Sequence, residues 1–334
     1  MQPQIKVSLP EILDSTIVGE FVACPTKFYY SFMRKLGSVN PSIDLVCGGA
    51  FARGMEVLRK AYYGPRKLPL PDALHEAMTE AIAFYGEIEV PEEKENKSVG
   101  RVITALAAYV EKYPPATDHI QPRYNSDGEP MVEFTFSVPL PIKHPETGNP
   151  FLYAGRFDMV GLYNGQLIGV DEKSTSQLGP TWSSKWNLRA QFTGYTWALH
   201  QHGLPVIGMV ARGVSFLKKS HGFEESLQLR PQWMIDQWYE QLLKNVERMV
   251  ASWHANWFDQ DFGDTCAGYS GCAFQRLCTA ATPETWIEGN YGIRDWNPLA
   301  KVNEEHKSEP QKVEVIDVSN QIPAHILAGL FKGA

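Results

Sequence analysis

Long apolar runs are missing from this sequence. No stretch reaches the roughly 18 apolar residues that a membrane-spanning helix needs, so no transmembrane helix is expected. The opening segment, MQPQIKVSLPEIL, has no basic patch followed by an apolar stretch, which argues against a secretory signal. Cysteine is scarce: five in 334 residues cannot form a disulfide scaffold, and an odd number cannot pair completely. Reduced thiols in a cytoplasm are the expectation. Internal repeats and low-complexity linkers are absent as well.

What is present is globular. An apolar content of 43%, with 12% aromatic, supplies a large core and excludes wholesale disorder. The length suits one elaborated domain, or a core with a smaller module. The net charge of −7 argues against a nucleic-acid partner only until it is divided along the chain. Residues 1–70 carry nine basic and five acidic side chains, and residues 151–222 carry seven and three. The intervening 71–150 has six and fourteen, and 223–334 has nine and sixteen. If the two basic segments meet in space, an acidic protein still holds a positive groove; the alternative is a set of solvated faces.

Residues 15–36 read as a helix capped by Ser15 and Thr16 and broken near Cys24 by Pro25. A second helix is expected over 47–63, with Phe51, Met55, Leu58 and Tyr62 on one face. Two more helical patterns fall within 71–113, joined by an exposed acidic stretch from Glu87 to Lys97. From 131 the period changes to two: MVEFTFSVPL alternates as a strand, and LYAGRFDMVGLYNGQLIGVDEKS reads as two strands about Asn164-Gly165. Residues 183–202 return to helical spacing, and PVIGMVARGVSFL is a buried strand. Beyond Pro231, the residues Met234, Trp238, Leu242, Val246, Met249, Trp253 and Trp257 mark a long core-facing helix. The tail beyond about 280 is polar until its apolar end, AHILAGLFKGA, which would pack on its own domain or dock on a partner. The order of elements predicts a three-layer α/β core.

The hairpin concentrates the chemistry. A turn at Asn164-Gly165 sets residue 158 opposite residue 171, so Asp158 and Asp171 face one another, close enough to share one hard divalent cation. Two adjacent carboxylates among Phe157, Val160, Leu162, Ile168 and Val170 repel unless neutralised. Lys173 leaves the same face as Asp171 and adds a positive charge suited to a phosphorane-like transition state. The plainer alternative is a structural Asp–Lys pair on a solvated sheet face.

GRFD at 155–158 followed by VDEKS at 170–174 resembles the PD-(D/E)xK nuclease superfamily, with an Asp on one strand and D/E-x-K on the next. Gln191 and Tyr195, in QFTGY, look like the Q-x-x-x-Y motif of its RecB-like subgroup; their i, i+4 spacing shares one helix face. Cys24, in EFVACPTKFYY, resembles the N-terminal cysteine segment of RecB-like iron–sulfur nucleases. Cys266, Cys272 and Cys278, in CAGYSGCAFQRLC, resemble their C-terminal triple-cysteine segment, although Cys266 stands further upstream than the family's C-x2-C. Cys47 is left as a buried spare.

That resemblance implies a restriction-endonuclease-like fold: a three-layer core with a central mixed sheet and its two ends joined by the four cysteines. It implies one nuclease domain over 1–280, with a helical insertion at about 64–130, and a tail over 281–334. It implies a [4Fe–4S] cluster, or zinc, on the four thiolates. GGAFARGME at 48–56 resembles the family helix that supplies a metal-binding His, but the His position is Ala52. Glu56, one turn on, would then complete the metal shell, or else pair with Lys60 or Arg53. The implied activity is a Mg²⁺- or Mn²⁺-dependent DNA exonuclease acting on single strands or free ends. Asp158, Asp171 and either the Glu172 carbonyl or Glu56 would hold the metal, Lys173 would assist, and Gln191 and Tyr195 would align the strand. Lys185 and Arg189 would grip phosphates, and Trp182 would stack on bases, with Trp186 better suited to the core. A catalytically weak DNA-binding subunit, motivated by Ala52, and a zinc or iron–sulfur scaffold are the competing readings.

Overall fold

The computed structural model describes residues 7–38, 42–267 and 271–299. The first strand, β1 (Ile12–Leu13), leads into α1 (Ser15–Ala23) and α2 (Pro25–Phe28), which continues as a π-turn through Met33. The break falls at Cys24, as Pro25 requires, but the cap is Asp14 rather than Ser15 or Thr16: its Oδ1 accepts from the Ile17 N–H at 2.7 Å. Then come β2 (Leu36–Ser38), α3 (Ile43–Tyr63), α4 (Leu70–Tyr85) and, after a short 3₁₀ stretch over Glu92–Lys97, α5 (Val99–Lys112). The strands β3 (Ile120–Pro122), β4 (Val132–Lys143), β5 (Pro150–Tyr163) and β6 (Gln166–Thr175) follow. They give way to α6 (Pro180–Ser184), α7 (Ala190–Gln201), β7 (Gly208–Phe216), β8 (His221–Leu229) and α8 (Gln232–Ala255). The described chain ends with α9 (Gln275–Thr279), α10 (Pro283–Ile287) and β9 (Tyr291–Ile293).

Among the described residues the central sheet is mixed and seven-stranded, ordered β1-β5-β6-β7-β8, with β3 and β4 also paired to β5. The β5–β6 hairpin turns at Asn164 (φ 48°) and Gly165 (φ 78°), both left-handed, the geometry that matches the twist of the flanking strands. β6 and β7 run parallel, and β7 is buried along its whole length. One core packs α1, α2, α7 and α8 against the sheet through Phe21, Phe28, Phe157, Phe192, Leu242 and Val246. A second packs α3, α4 and α5 around Phe51, Met55, Leu74 and Leu106 and meets the sheet at Val214 and Phe216. This is the mixed α/β sandwich expected of a restriction-endonuclease-like core.

Three local expectations need correction. The helical span 183–202 is two helices, because Pro180 starts α6 early and a turn through 185–188 separates it from α7. On α8 the buried residues are Ile235, Leu242, Val246, Met249 and Trp253; Trp257 lies beyond the left-handed cap at Asn256 (φ 47°) and is 42% exposed. Strand β8, HGFEESLQL, escapes hydropathy reading because it is an edge strand whose positions are mostly half-buried, with Leu227 and Leu229 exposed. The segment AHILAGLFKGA lies outside the described residues. No helix among the described residues is long and apolar enough to cross a membrane.

Candidate active site

The hairpin register holds to the sequence count. The ladder runs from Tyr163↔Gln166 to Met159↔Val170, one step short of Asp158 and Asp171. Beyond it, the Glu172 N–H donates to Asp158 Oδ2 at 2.6 Å, which draws the Asp158 carboxylate onto β6. Asp171 is only 3% exposed, and its Oδ2 lies 2.6 Å from Lys173 Nζ. Burial pushes the Asp158 carboxyl well above its ordinary range, and the charges of Asp171, Glu172 and Glu133 push the same way against Lys173. Burial also raises Asp171, opposed by Lys173. The two aspartates therefore form a crowded acidic pair with one cation beside it.

Gln191, on the first turn of α7, donates its Nε2 to Asp171 Oδ1 at 3.3 Å. Tyr195, one turn further, is 7% exposed, edge-on to Phe157 (4.6 Å between centroids) and Phe136 (5.5 Å). Gly155 of the GRFD segment allows that packing: a Cβ there would stand 2.8 Å from the Tyr195 ring and 2.9 Å from that of Phe136. Helix α7 thus reaches the acid pair through Gln191, and the Tyr195 phenol, its ring packed in the core, is hydrogen-bonded to Gln191 within electrostatic reach of both aspartates.

Lys185 and Arg189 are exposed, on the turn before α7 and at its cap, and Arg189 lies within electrostatic reach of Asp171. Trp182 does not fit its expected role. It is 3% exposed, edge-on to Trp186 at 5.4 Å, with its ring in the space that a Gly213 side chain would take (2.6 Å). A ring packed into the core cannot stack on a base, so Trp182, like Trp186, is structural.

The expected donor at Glu172 is its backbone carbonyl, and the carboxylate lies apart from the aspartates. Alternation along β6 sends its side chain to the face opposite Asp171 and Lys173, where Oε1 accepts from Arg59 and from Tyr109 Oη (2.7 Å). Burial works to raise this carboxyl, but Arg59 wins and holds it below its usual range. Its carboxylate is committed to Arg59 and is no metal ligand; only its backbone faces Asp158. Glu56 of α3 is 3% exposed, with Oε1 2.5 Å from Lys60 Nζ and Oε2 3.1 Å from Arg53 Nη1. Against its burial, Lys60 and Arg53 depress its carboxyl. Of the two readings of Glu56, this geometry is that of the ion pair. Ala52 carries no donor.

Sequence reasoning missed Glu133. The β4–β5 register pairs Val132 with Met159 and Phe134 with Phe157, and skips Glu133 and Asp158 between them. A regular pleat would send 132 and 134 to one face; here Val132 and Met159 join one cluster while Phe134 and Phe157 join another. The pleat breaks at Glu133, whose φ of 52° is left-handed, a conformation costing about 1–3 kcal/mol for a residue with a side chain. Its Oε2 lies 3.1 Å from Arg156 Nε, and burial pushes its carboxyl up to about 7 despite Arg156 and Arg59. The alternation of MVEFTFSV gave no sign of this break. Arg59 was missed too, because a basic residue on a helix reads by default as solvated.

Cys24 lies near one end of the chain and Cys266, Cys272 and Cys278 near the other, with the two segments tied to each other. Thr26, two residues past Cys24, donates from its N–H to Asp259 O (3.0 Å) and from Oγ1 to Phe258 O (2.8 Å), tying α2 to the chain after α8. The Cys272 N–H donates to Cys266 O at 3.0 Å. Burial and then Cys24, Cys272 and Cys266 push the Cys278 thiol up to about 11. Burial, Cys272 and Cys24 likewise raise Cys266. Cys47 is fully buried in the helical core, away from this group. Among the described residues, no three His, Cys, Asp or Glu side chains are grouped as they would be around a metal ion. Two carboxylates at Asp158 and Asp171 still fit a Mg²⁺-type ion, which takes one or two protein carboxylates and completes its shell with water and substrate phosphate.

No curated protein matches the chain. Among solved structures, a "putative exonuclease" from Eubacterium rectale is 9% identical, with 78% of this chain and 88% of that one covered at a TM-score of 0.44. A second, SSO0001, is 10% identical, with 70% and 85% covered at a TM-score of 0.29. The family model of the PD-(D/E)XK nuclease superfamily matches residues 16–279, a span that takes in Asp158, the D-E-K strand, α7 and Cys24, Cys266, Cys272 and Cys278. On that match the chain belongs to the PD-(D/E)XK nuclease superfamily.

Proposed function

We propose that the chain is a metal-dependent deoxyribonuclease that hydrolyses phosphodiester bonds from DNA ends. The observation that carries this reading is the acidic pair of Asp158 and Asp171 with Lys173 Nζ 2.6 Å from one of its oxygens. Asp158 and Asp171 would hold Mg²⁺ or Mn²⁺, which when bound lowers the pKa of a water and polarises the phosphodiester. Lys173 orients the attacking water or donates to the phosphate oxygens as their charge grows. Gln191, donating to Asp171 and hydrogen-bonded to the Tyr195 phenol, holds that carboxylate in place beside the strand. Lys185 and Arg189 meet backbone phosphates without reading sequence. The preference for ends over internal bonds rests on the RecB-like motifs alone.

The four cysteines belong to the same proposal: Cys24, Cys266, Cys272 and Cys278 hold a [4Fe–4S] cluster, with zinc as the alternative, and so fasten the N-terminal helices to the C-terminal segment. A brown protein with visible absorbance, lost on Cys272→Ser, is expected; a colourless, zinc-loaded protein would select the alternative.

The test is cleavage of end-labelled linear and closed circular DNA, single- and double-stranded, with Mn²⁺, comparing wild type with Asp171→Asn and Lys173→Ala. Release of mononucleotides from linear DNA only, lost in both variants, is the expected result. Equal activity in all three proteins would remove the reading. A second reading, a DNA-binding subunit of weak activity, is favoured by Ala52 and by the ion-paired Glu56, which leave α3 without a free donor for the metal. Binding without turnover would select it.

A further inference from the structure

Arg59 lies on α3, on the face of the sheet opposite Lys173. Its side chain is 5% exposed. One arm of its guanidinium, Nη1, donates to the Asp158 carbonyl at 3.4 Å, and the other, Nη2, donates to Glu172 Oε1. The first contact is on β5 at the very residue that carries one aspartate. The second is on β6, one residue past the other aspartate. The Glu172 N–H closes the loop by donating to Asp158 Oδ2 at 2.6 Å. Glu172 is held in turn by Tyr109 Oη at 2.7 Å, and Tyr109 by Arg212 Nη1 at 3.2 Å. Arg212 is itself locked by two bonds to Asp118 (2.6 and 2.7 Å) and one to Glu225 (2.7 Å).

The β5–β6 ladder stops at Met159↔Val170, so past that point no backbone pairing sets the distance between the two strands. The guanidinium fork spans the gap where the ladder ends. A lysine could keep the charge but not both contacts, because a single ammonium on a flexible stem has no planar fork. We propose that Arg59 is a positioning residue that sets the separation and rotamers of Asp158 and Asp171 by bridging their strands from the helical face. The chemistry it serves is the binding of a divalent cation by those two carboxylates, so it rests on the reading of them as the metal-holding pair.

The test uses the full chain and three variants: Arg59→Lys, Arg59→Met, and the double Arg59→Met/Glu172→Met. The double variant guards against simple unfolding, because replacing both members of a buried ion pair by apolar residues of similar volume is often neutral or stabilising. Thermal melting reports the fold, calorimetric titration with Mn²⁺ alone reports the metal site, and kcat and KM on linear DNA report the reaction. The double variant and Arg59→Lys are expected to melt near wild type yet bind Mn²⁺ about 10–100-fold more weakly, the usual cost of losing a group that orients a metal ligand. Their kcat falls while KM for DNA is unchanged. A folded double variant with wild-type Mn²⁺ affinity and kcat would overturn the proposal. So would failure of all three to fold, which would make Arg59 a residue of the fold rather than of the site. Equal Mn²⁺ binding by wild type and Asp171→Asn would instead remove the acid pair as a metal site, and that failure is visible before any Arg59 variant is made.

Discussion

Strand β6 carries three consecutive charged residues whose two faces behave in opposite ways. On one face Asp171 and Lys173 look toward α7, with the Asp158 carboxylate crowded in from β5, Lys173 paired to Asp171 and Arg189 further off. On the other, Glu172 meets Arg59 and Tyr109 and is held below its ordinary pKa, while Asp158 and Asp171 are held above theirs. Residue type does not separate the two faces; neutralisation does. A compensated carboxylate stabilises the fold, and an uncompensated pair is poised for a missing positive charge.

The largest expected break in that contrast comes from neutralising one acid on each face. Asp171→Asn is expected to lower metal-dependent cleavage by about 10³-fold, since the metal is worth several kcal/mol at the transition state, while leaving the melting temperature equal or higher because a repulsion is relieved. Glu172→Ala is expected to cost about 3–5 kcal/mol of stability by leaving Arg59 buried without its partner. Chemical denaturation of both variants checks the pair; equal losses of stability would erase the distinction between the faces.

The next effect is in pH. Because the folded protein keeps the Asp158 proton to higher pH than the unfolded chain does, it binds more protons than the unfolded state above about pH 4. Stability in metal-free buffer therefore falls as pH rises from there through the folded pKa of Asp158. Glu172, depressed, contributes the opposite way: its stabilisation is present above the unfolded pKa and is lost as pH falls through the folded one. Denaturation midpoints between pH 4 and 8 with a chelator should show a downward slope that Asp158→Asn flattens. Adding Mn²⁺ should raise the neutral-pH midpoint of wild type and leave that of Asp158→Asn unmoved.

The smallest effect belongs to Glu56. Paired with Lys60 and Arg53, it sits closer in kind to Glu172 than to the aspartates. Glu56→Gln is expected to change cleavage less than about tenfold, one or two ion-pair equivalents being worth about 1 kcal/mol when a partner is solvated. A loss of several orders of magnitude in the same assay would move Glu56 to the uncompensated side.

The hairpin and its acid pair were legible because a two-residue Asn-Gly turn fixes register, so counting outward places residue 158 against 171. The helices α3, α5 and α8 were legible because their apolar residues recur at helical spacing. What escaped was whatever depends on long-range partners. Glu133 alternates normally with its neighbours, and only the skipped pair opposite Asp158 reveals the left-handed break. Trp182 in an otherwise exposed, basic segment looked free to stack, but the bare backbone of Gly213, thirty-one residues later, makes room for its ring. Arg59 and Arg212 gave no sign of burial because their carboxylate and phenol partners come from other elements.

Strand β2 pairs with β9, Leu36 against Ile293 and Gly37 against Gly292. Arg34 reinforces the junction by gripping Glu284 with both arms, at 2.6 and 2.9 Å. A chain trimmed at the boundary that motif reading suggests, near residue 280, would therefore lose a strand partner from the segment that follows Cys24. For anyone expressing or tagging this protein, a cut before Ile293 would loosen the segment after Cys24 along with the one it removes.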